Sequence, residues 1–227
     1  VDTPHSRRRV SLEDFDWADL IDQEDKVRML IDPTSQYALA AAMAMGRAMD
    51  EVLVDAALGT AFTGVSGGTS TAGQTAIANG GTGLTLAKLL TAKETMDGDD
   101  VPDDGRVIVC TADQITDLLN TTEIKSSDFN TVRALARGEL DTFLGYKFIS
   151  VNGKRTDGTK LIPVDGSSHR RCFAFQQDGL LLGVGADMSS KISERADKNY
   201  ATQVFCSMSI GATRMEEARA LEILCVE

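Results

Sequence analysis

The sequence predicts an α+β fold in which one long helix and one long strand bracket a compact insertion. Three observations predict it. A helical pattern runs almost unbroken over 33–58, apolar and polar residues alternate over 203–212, and short helix and strand signals bounded by glycines lie between them.

Residues 1–31 do not read as a compact unit. Arg7, Arg8 and Arg9 form a basic knot. Glu13, Asp14, Asp16, Asp19, Asp22, Glu24 and Asp25 follow, interleaved with Phe15, Trp17, Leu20 and Ile21. A segment this charged cannot build its own core, so it is expected to be an extended arm or hairpin with one sticky face, lying on this subunit or on a neighbour. The long helix comes next. Asp32 is a good N-cap, Pro33 suits the first helical position, and Gly59 suits the stop. Tyr37, Ala41, Ala44, Met45, Ala48, Val52 and Ala56 share one face, and the rod is about 39 Å long.

Residues 56–87 carry no charge, and the Gly, Thr, Ser and Ala of 59–83 read as disordered or as irregular packing against a partner. Leu86, Leu89, Leu90 and Met96 predict a second helix ending near Gly98. Val107–Cys110 predicts a buried strand, and Thr111 with Gln114 a capping box opening a third helix with Ile115, Leu118 and Leu119 inward. Phe129, Val132 and Leu135 predict a fourth helix stopped by Gly138. Strands follow around Tyr146–Val151, Cys172–Phe175 and Leu221–Val226. In the long strand Val204, Cys206, Met208, Ile210 and Ala212 point one way, and at about 3.4 Å per residue it matches the helix in length. Laid together, helix and strand predict an elongated body, unlike a compact enzyme domain.

The composition sets limits on function. A formal net charge of −11 argues against a surface built to grip nucleic acid, and suits a protein that stays soluble when concentrated or a wall that encloses DNA without adhering to it. Cys110, Cys172, Cys206 and Cys225 are too scattered for a metal motif and are expected as buried reduced thiols, which points to a reducing cytosol. No run approaches the ~18 apolar residues of a membrane helix, and no signal peptide is visible. The first residue is Val1, so an N-terminal part is expected to have been cleaved or left unnumbered.

Candidates for chemistry are few. His169 with Cys172 makes an HxxC pair, short of the three or four ligands a metal needs, and His5 lies in the charged arm. Gly80, Gly81 and Gly83 precede a helix, but no Gly-Lys-Ser/Thr follows and Leu86 stands where the third glycine of a dinucleotide fingerprint belongs. The aspartates of 97–104 miss the spacing of a calcium loop and read as a solvated turn. No catalytic residue, cofactor or metal is expected. Arg7 to Arg9 are expected to pair with acidic residues, here or on another subunit.

The segments FDWADLIDQEDKVRMLIDPTS, AAMAMGRAMDEVLVDAALGTAFTG, GLTLAKLLTAKE, GRVIVCTADQITDLL and RADKNYATQVFCSMSIGATRMEE, in that order, resemble the major capsid protein of tailed bacteriophages, of the Hong Kong 97 type. The resemblance covers essentially the whole chain and rests on the order of segments. It implies the Hong Kong 97 capsid fold. Residues 1–31 would be the extended loop, 32–83 the start of a peripheral domain with the spine helix at 33–58, 84–175 the axial domain, 176–219 the peripheral sheet, and 220–227 a strand returning to the axial domain.

It also implies self-assembly into the pentamers and hexamers of an icosahedral head, around a scaffolding protein and a portal and with room for a decoration protein. The virion would be assembled in the host cytoplasm, enclosing DNA without sequence-specific binding and with no membrane partner. Charged tips of the peripheral domain meet at threefold positions in that family. The matching tip is Lys191, Glu194, Arg195, Asp197 and Lys198, which as a bare pattern reads equally as a solvated hairpin. With Arg7, Arg8, Arg9, Asp14, Asp16 and Trp17 these are the expected interface residues. Charge reversal at Arg195 or alanine at Trp17 is expected to spare subunit folding and damage assembly. Some members weld subunits through a Lys–Asn bond from the extended loop. Residues 1–25 contain no lysine, so no such weld is expected. The alternatives are an encapsulin-like bacterial nanocompartment shell, distinguished by enzyme cargo in place of DNA, and a small hydrolase or ligand-binding protein, distinguished by a monomer with turnover.

Overall fold

The structure is a computed structural model and describes residues 7–22, 24, 34–64, 68–70, 76–120 and 142–227. The chain divides into two compact units: the first holds residues up to 9, 54–181 and 213–227, the second 10–53 and 182–212.

The second unit is a helix on a sheet. Helix α1 (Thr34–Leu58) contributes its first five turns to it. The sheet has the order β2 (Glu13–Ile21), β10 (Ala201–Arg214), β9 (Leu180–Arg195). Strand β2 runs antiparallel to β10, with Trp17 opposite Cys206 and Phe15 opposite Met208. The apolar stripe of α1, with Ala41, Met45 and Ala48 buried, packs on Cys206, Met208 and Ile210, and Phe15, Trp17 and Leu182 close the sides. Alanines on the helix face let the sheet approach closely. So the arm finds its sticky-face partner within its own chain, as an edge strand. Alternation in β10 holds from Val204 to Ile210 and then breaks: Gly211 is buried and Ala212 is not. A Cβ on Gly211 would collide with the carbonyl oxygen of Ser11, and one on Gly185 with Leu12, while Val10 lies over Gly183. Three glycines thus clear a bare track for residues 10–12 to cross the sheet before joining it as β2.

The first unit is built on a five-stranded sheet of order β11 (Ala220–Cys225), β8 (Arg170–Gln176), β5 (Arg106–Cys110), β7 (Tyr146–Ser150), β6 (Thr142–Phe143). Only β5 and β7 run parallel. A parallel pair needs a crossover connection, and helix α3 (Ala112–Asn120) lies within it. Helices α2 (Leu86–Gly98) and α3 cover one face, where Leu89, Ala92, Met96 and Leu118 pack on Ile108, Tyr146, Cys172, Ala174, Ile223 and Cys225. The other face, through Val109 and Phe173, packs on Val54, Ala57 and Leu58 of α1 and on Leu161 and Ile162. The sheet is therefore covered on both sides, which accounts for the unbroken apolar runs in β5 and β8.

Local signals explain the helix ends. The Thr85 side chain caps α2 by accepting from the Lys88 amide. The Thr111 amide donates to the Gln114 side-chain oxygen at 3.3 Å, the reciprocal half of the expected capping box. At the far end of α1 the buried Arg214 guanidinium donates to the Ala57 and Gly59 carbonyls, each at 2.8 Å, occupying acceptors that a helix end leaves open. Burial pushes its pKa below the usual arginine value.

Several readings need correction or lie elsewhere. Leu90, one of the apolar residues that predict α2, is exposed, because it sits one step past the buried face marked by Leu89 and Ala92. The neutral stretch after α1 is ordered where described, as β3 (Ala61–Thr63) and β4 (Gly68–Ser70), which form a small sheet with β1 (Arg8–Arg9) in the order β1-β3-β4. The expected cap at Asp32 and Pro33 and the expected helix around Phe129, Val132, Leu135 and Gly138 fall outside the described residues.

Candidate subunit-interface surfaces

The hairpin of β9 and β10 ends in a charged turn. Ala196–Lys198 form one turn of 3-10 helix, and Asn199 and Tyr200 then both adopt the left-handed conformation, φ 51° and 59°. Asparagine tolerates that region, but a tyrosine there costs on the order of 1 kcal/mol. The turn is held by Arg195. Its Nε and Nη2 donate to the two Asp197 carboxylate oxygens at 2.8 and 2.6 Å, and its Nη1 donates to Gln203 Oε1 at 3.1 Å. That hydrogen-bonded fork draws Asp197 down to about 2. Glu194, Arg195, Asp197 and Lys198 are exposed at this tip, and Lys191 is exposed further back along β9.

Asp14 and Asp16 are exposed on β2, opposite Ser209 and Ser207. Trp17 is half-buried and packs into the core of its own unit. Alanine there removes intrachain packing, so its effect on subunit stability has to be measured alongside its effect on assembly. The basic knot belongs to the other unit. Arg8 donates to both Glu217 carboxylate oxygens and to the Met215 carbonyl, so its acidic partner is in the same chain. Arg9 is exposed with its guanidinium 5.1 Å from the centre of the Phe62 ring, a cation–π contact. Arg7 is exposed, and its carbonyl accepts from the Gly64 amide.

One surface has no counterpart in the sequence reading. Strand β9 is an edge strand of 16 residues, and from Val184 to Arg195 every residue is exposed. The Ser189 and Ser207 hydroxyls meet at 3.2 Å and so share one face. Val184, Met188 and Ile192 alternate to the opposite face, the one on which Cys206, Met208 and Leu182 meet α1. They are 54, 43 and 55 % exposed: the helix covers β10 and leaves β9 bare. The sequence sign is apolar residues four apart, Val184, Met188 and Ile192, a spacing that suits one face of a helix as well as one face of a strand.

The groups weighed for chemistry are in structural use. His169 Nδ1 lies 2.8 Å from Asp165, and Asn79 reaches the ring from the other side. The carboxylate of Asp165 accepts from the His169 amide and side chain and from the Ser167 amide, which lowers its pKa. Asp97 accepts from Arg106 and is likewise lowered. Glu227 is gripped by Arg170 at 2.8 and 2.5 Å and by Lys160 at 3.2 Å, which pulls it to about 2. Among the described residues no three His, Cys, Asp or Glu side chains group so as to hold a metal ion, and no helix is long and apolar enough to cross a membrane.

The fold of the chain is similar to those of solved phage capsids. The Mycobacterium phage Che8 structure matches with a TM-score of 0.70 at 14 % identity, over 93 % of this chain and 70 % of that one. The capsid of cyanophage P-SCSP1u matches at 0.70 and 17 %, over 96 % and 74 %, and the head of Helicobacter pylori bacteriophage KHP40 at 0.70 and 11 %, over 95 % and 75 %. The α+β fold of the Hong Kong 97 type expected from the sequence is therefore borne out. No curated protein matches the chain. The family described as phage capsid protein matches residues 1–227, and the chain belongs to it, as a structural protein of the virion head.

Proposed function

We propose that the chain is the repeating subunit of an icosahedral head, assembling as hexamers and pentamers in the host cytoplasm around a scaffolding protein and a portal, with no catalytic role of its own. It encloses DNA through a wall of net negative charge that does not read sequence. The family match over the whole chain is the observation that carries this reading. Within it, the contacts between copies fall at the charged tip around Lys191, Glu194, Arg195, Asp197 and Lys198, on the arm at Asp14 and Asp16, and beside the knot at Arg7 and Arg9. The domain limits stay as the resemblance implies them, with 84–175 and 220–227 as the axial part.

The test is assembly. Purified chain, or chain expressed with its scaffold, is expected to give closed shells in negative-stain images and a mass many times the 24.3 kDa of one copy. Lys198→Glu is the cleaner charge reversal at the tip, because Arg195→Glu also breaks the fork to Asp197. It should leave the subunit's unfolding midpoint unchanged and abolish shells. A monomer at high concentration, or shells unaffected by the reversal, would remove respectively the function and the tip assignment. Enzyme cargo in place of DNA would favour the nanocompartment.

A further inference from the structure

Asparagine is followed by glycine at two places in the chain, Asn79-Gly80 and Asn152-Gly153. The first pair opens a tight turn. Gly80 and Gly81 both adopt the left-handed conformation, φ 55° and 70°, and the Thr82 amide donates to the Asn79 carbonyl at 3.0 Å. The Asn79 side chain folds over this turn, its Oδ1 accepting from the Gly81 amide at 2.8 Å. That bond reaches past the Gly80 nitrogen, so Cγ of Asn79 and the Gly80 nitrogen are the two ends of an arc of five atoms. Gly80 is exposed and has no side chain to shield its nitrogen. At the other end of the side-chain amide, Nδ2 lies 3.0 Å from Nε2 and 3.3 Å from Nδ1 of His169. Asp165 orients that ring: an ionised carboxylate only accepts, so Nδ1 carries the proton of their 2.8 Å bond. A polarised carbonyl, an unshielded following nitrogen and a ring nitrogen beside the amide nitrogen thus meet at one residue. Asn152 is held differently. Its Oδ1 accepts from the Ala112 amide at the start of α3 at 2.9 Å, and its Nδ2 donates to the Ser150 hydroxyl at 3.0 Å.

We propose that Asn79 is a self-modification site, at which the side-chain amide closes on the Gly80 nitrogen to a succinimide that water opens to aspartate or isoaspartate. The Gly80 nitrogen gives its proton to solvent hydroxide and attacks Cγ of Asn79. As the N–Cγ bond forms, charge develops on Oδ1, where the Gly81 amide stabilises it. The Cγ–Nδ2 bond then breaks. The nitrogen leaves as ammonia with a proton from Nε2 of the His169 imidazolium, which solvent restores. Water adding at Cγ opens the ring to aspartate, and water adding at the main-chain carbonyl opens it to isoaspartate. One amide and one water become one carboxylate and one ammonium. Isoaspartate puts an extra methylene into the main chain between two anchors on the terminal strand, the Ile77 amide on the Glu222 carbonyl at 2.9 Å and the Val226 amide on the Thr82 carbonyl at 3.0 Å. Either product sets a negative charge where a neutral amide met His169.

The experiment incubates the full chain at neutral pH, folded and in urea, and maps its peptides over time for the aspartate and isoaspartate forms of both sites. In the folded chain Asn79 is expected to convert at least about tenfold faster than Asn152, a modest share of what an oriented proton donor can supply. In urea, where each site is a plain Asn-Gly, the two rates should converge. His169→Gln should bring Asn79 down toward Asn152 in the folded chain and leave both unchanged in urea. Should that variant fail to fold, the parent comparison decides alone. An Asn79 that converts no faster than Asn152 in the folded chain, or one whose rate survives in a folded His169→Gln, would overturn the proposal.

Discussion

Strands β8 and β9 are consecutive in the chain and opposite in character. Every residue of β8 is buried or half-buried, with Cys172 and Ala174 facing one core and Phe173 another. From Val184 on, every residue of β9 is exposed on both faces. The first strand is finished by its own subunit. Among the described residues the second has an unpaired edge and an apolar stripe of the sort that native proteins usually blunt or cover. Stability and assembly should therefore separate along this line.

The largest effect is expected from testing that separation directly. Phe173→Ala should cost about 3 to 5 kcal/mol in urea unfolding, whereas Ile192→Ala should stay within about 0.5 kcal/mol. Equal costs would mean that β9 is packed within the subunit after all. Trp17→Ala comes next. Its side chain is half-buried against α1, so the cost should be about 2 kcal/mol, below the range for a full cavity, and an unchanged midpoint would mean that Trp17 serves only neighbours.

The smallest effect concerns acid. Glu227 and Asp197 are both held near 2 by an arginine. A carboxylate with a depressed folded-state pKa adds stability that is full above its unfolded value, near 4.5 for glutamate, and is lost as pH falls toward 2. Glu227 grips an arginine that is 7 % exposed, whereas Asp197 and its arginine are both exposed. Glu227→Gln should flatten the acid limb of the stability curve between pH 4.5 and 2, and Asp197→Asn should barely change it. Matching curves would mean that the two grips are equivalent.

What the residues disclose by themselves follows from how far a signal must reach. Helix α1 and strand β10 are legible because Ala41, Met45 and Ala48, and Val204, Cys206 and Met208, repeat within a short window. The Thr111–Gln114 box is legible for the same reason. Strand β9 is not, because a strand bare on both faces has no reason to alternate. The tip cluster is legible as charge, but the Arg195–Asp197 fork depends on the turn. The partners of Arg8 and Trp17, Glu217 and the pair of Cys206 and α1, follow only from pairings across the length of the chain, which no local pattern encodes. The glycine track at Gly183, Gly185 and Gly211 is visible as letters, but its purpose appears only with Val10–Leu12 lying in it.

That track sets an order of events during synthesis. Residues 10–21 leave the ribosome long before β10, the strand on which Glu13 to Ile21 pair, has been made. For most of translation the segment has no edge to join and carries Phe15, Trp17, Leu20 and Ile21 in the open. The carboxylates of Glu13, Asp14, Asp16 and Asp19 then act as gatekeepers, keeping a waiting strand from pairing with its counterpart on the next nascent chain.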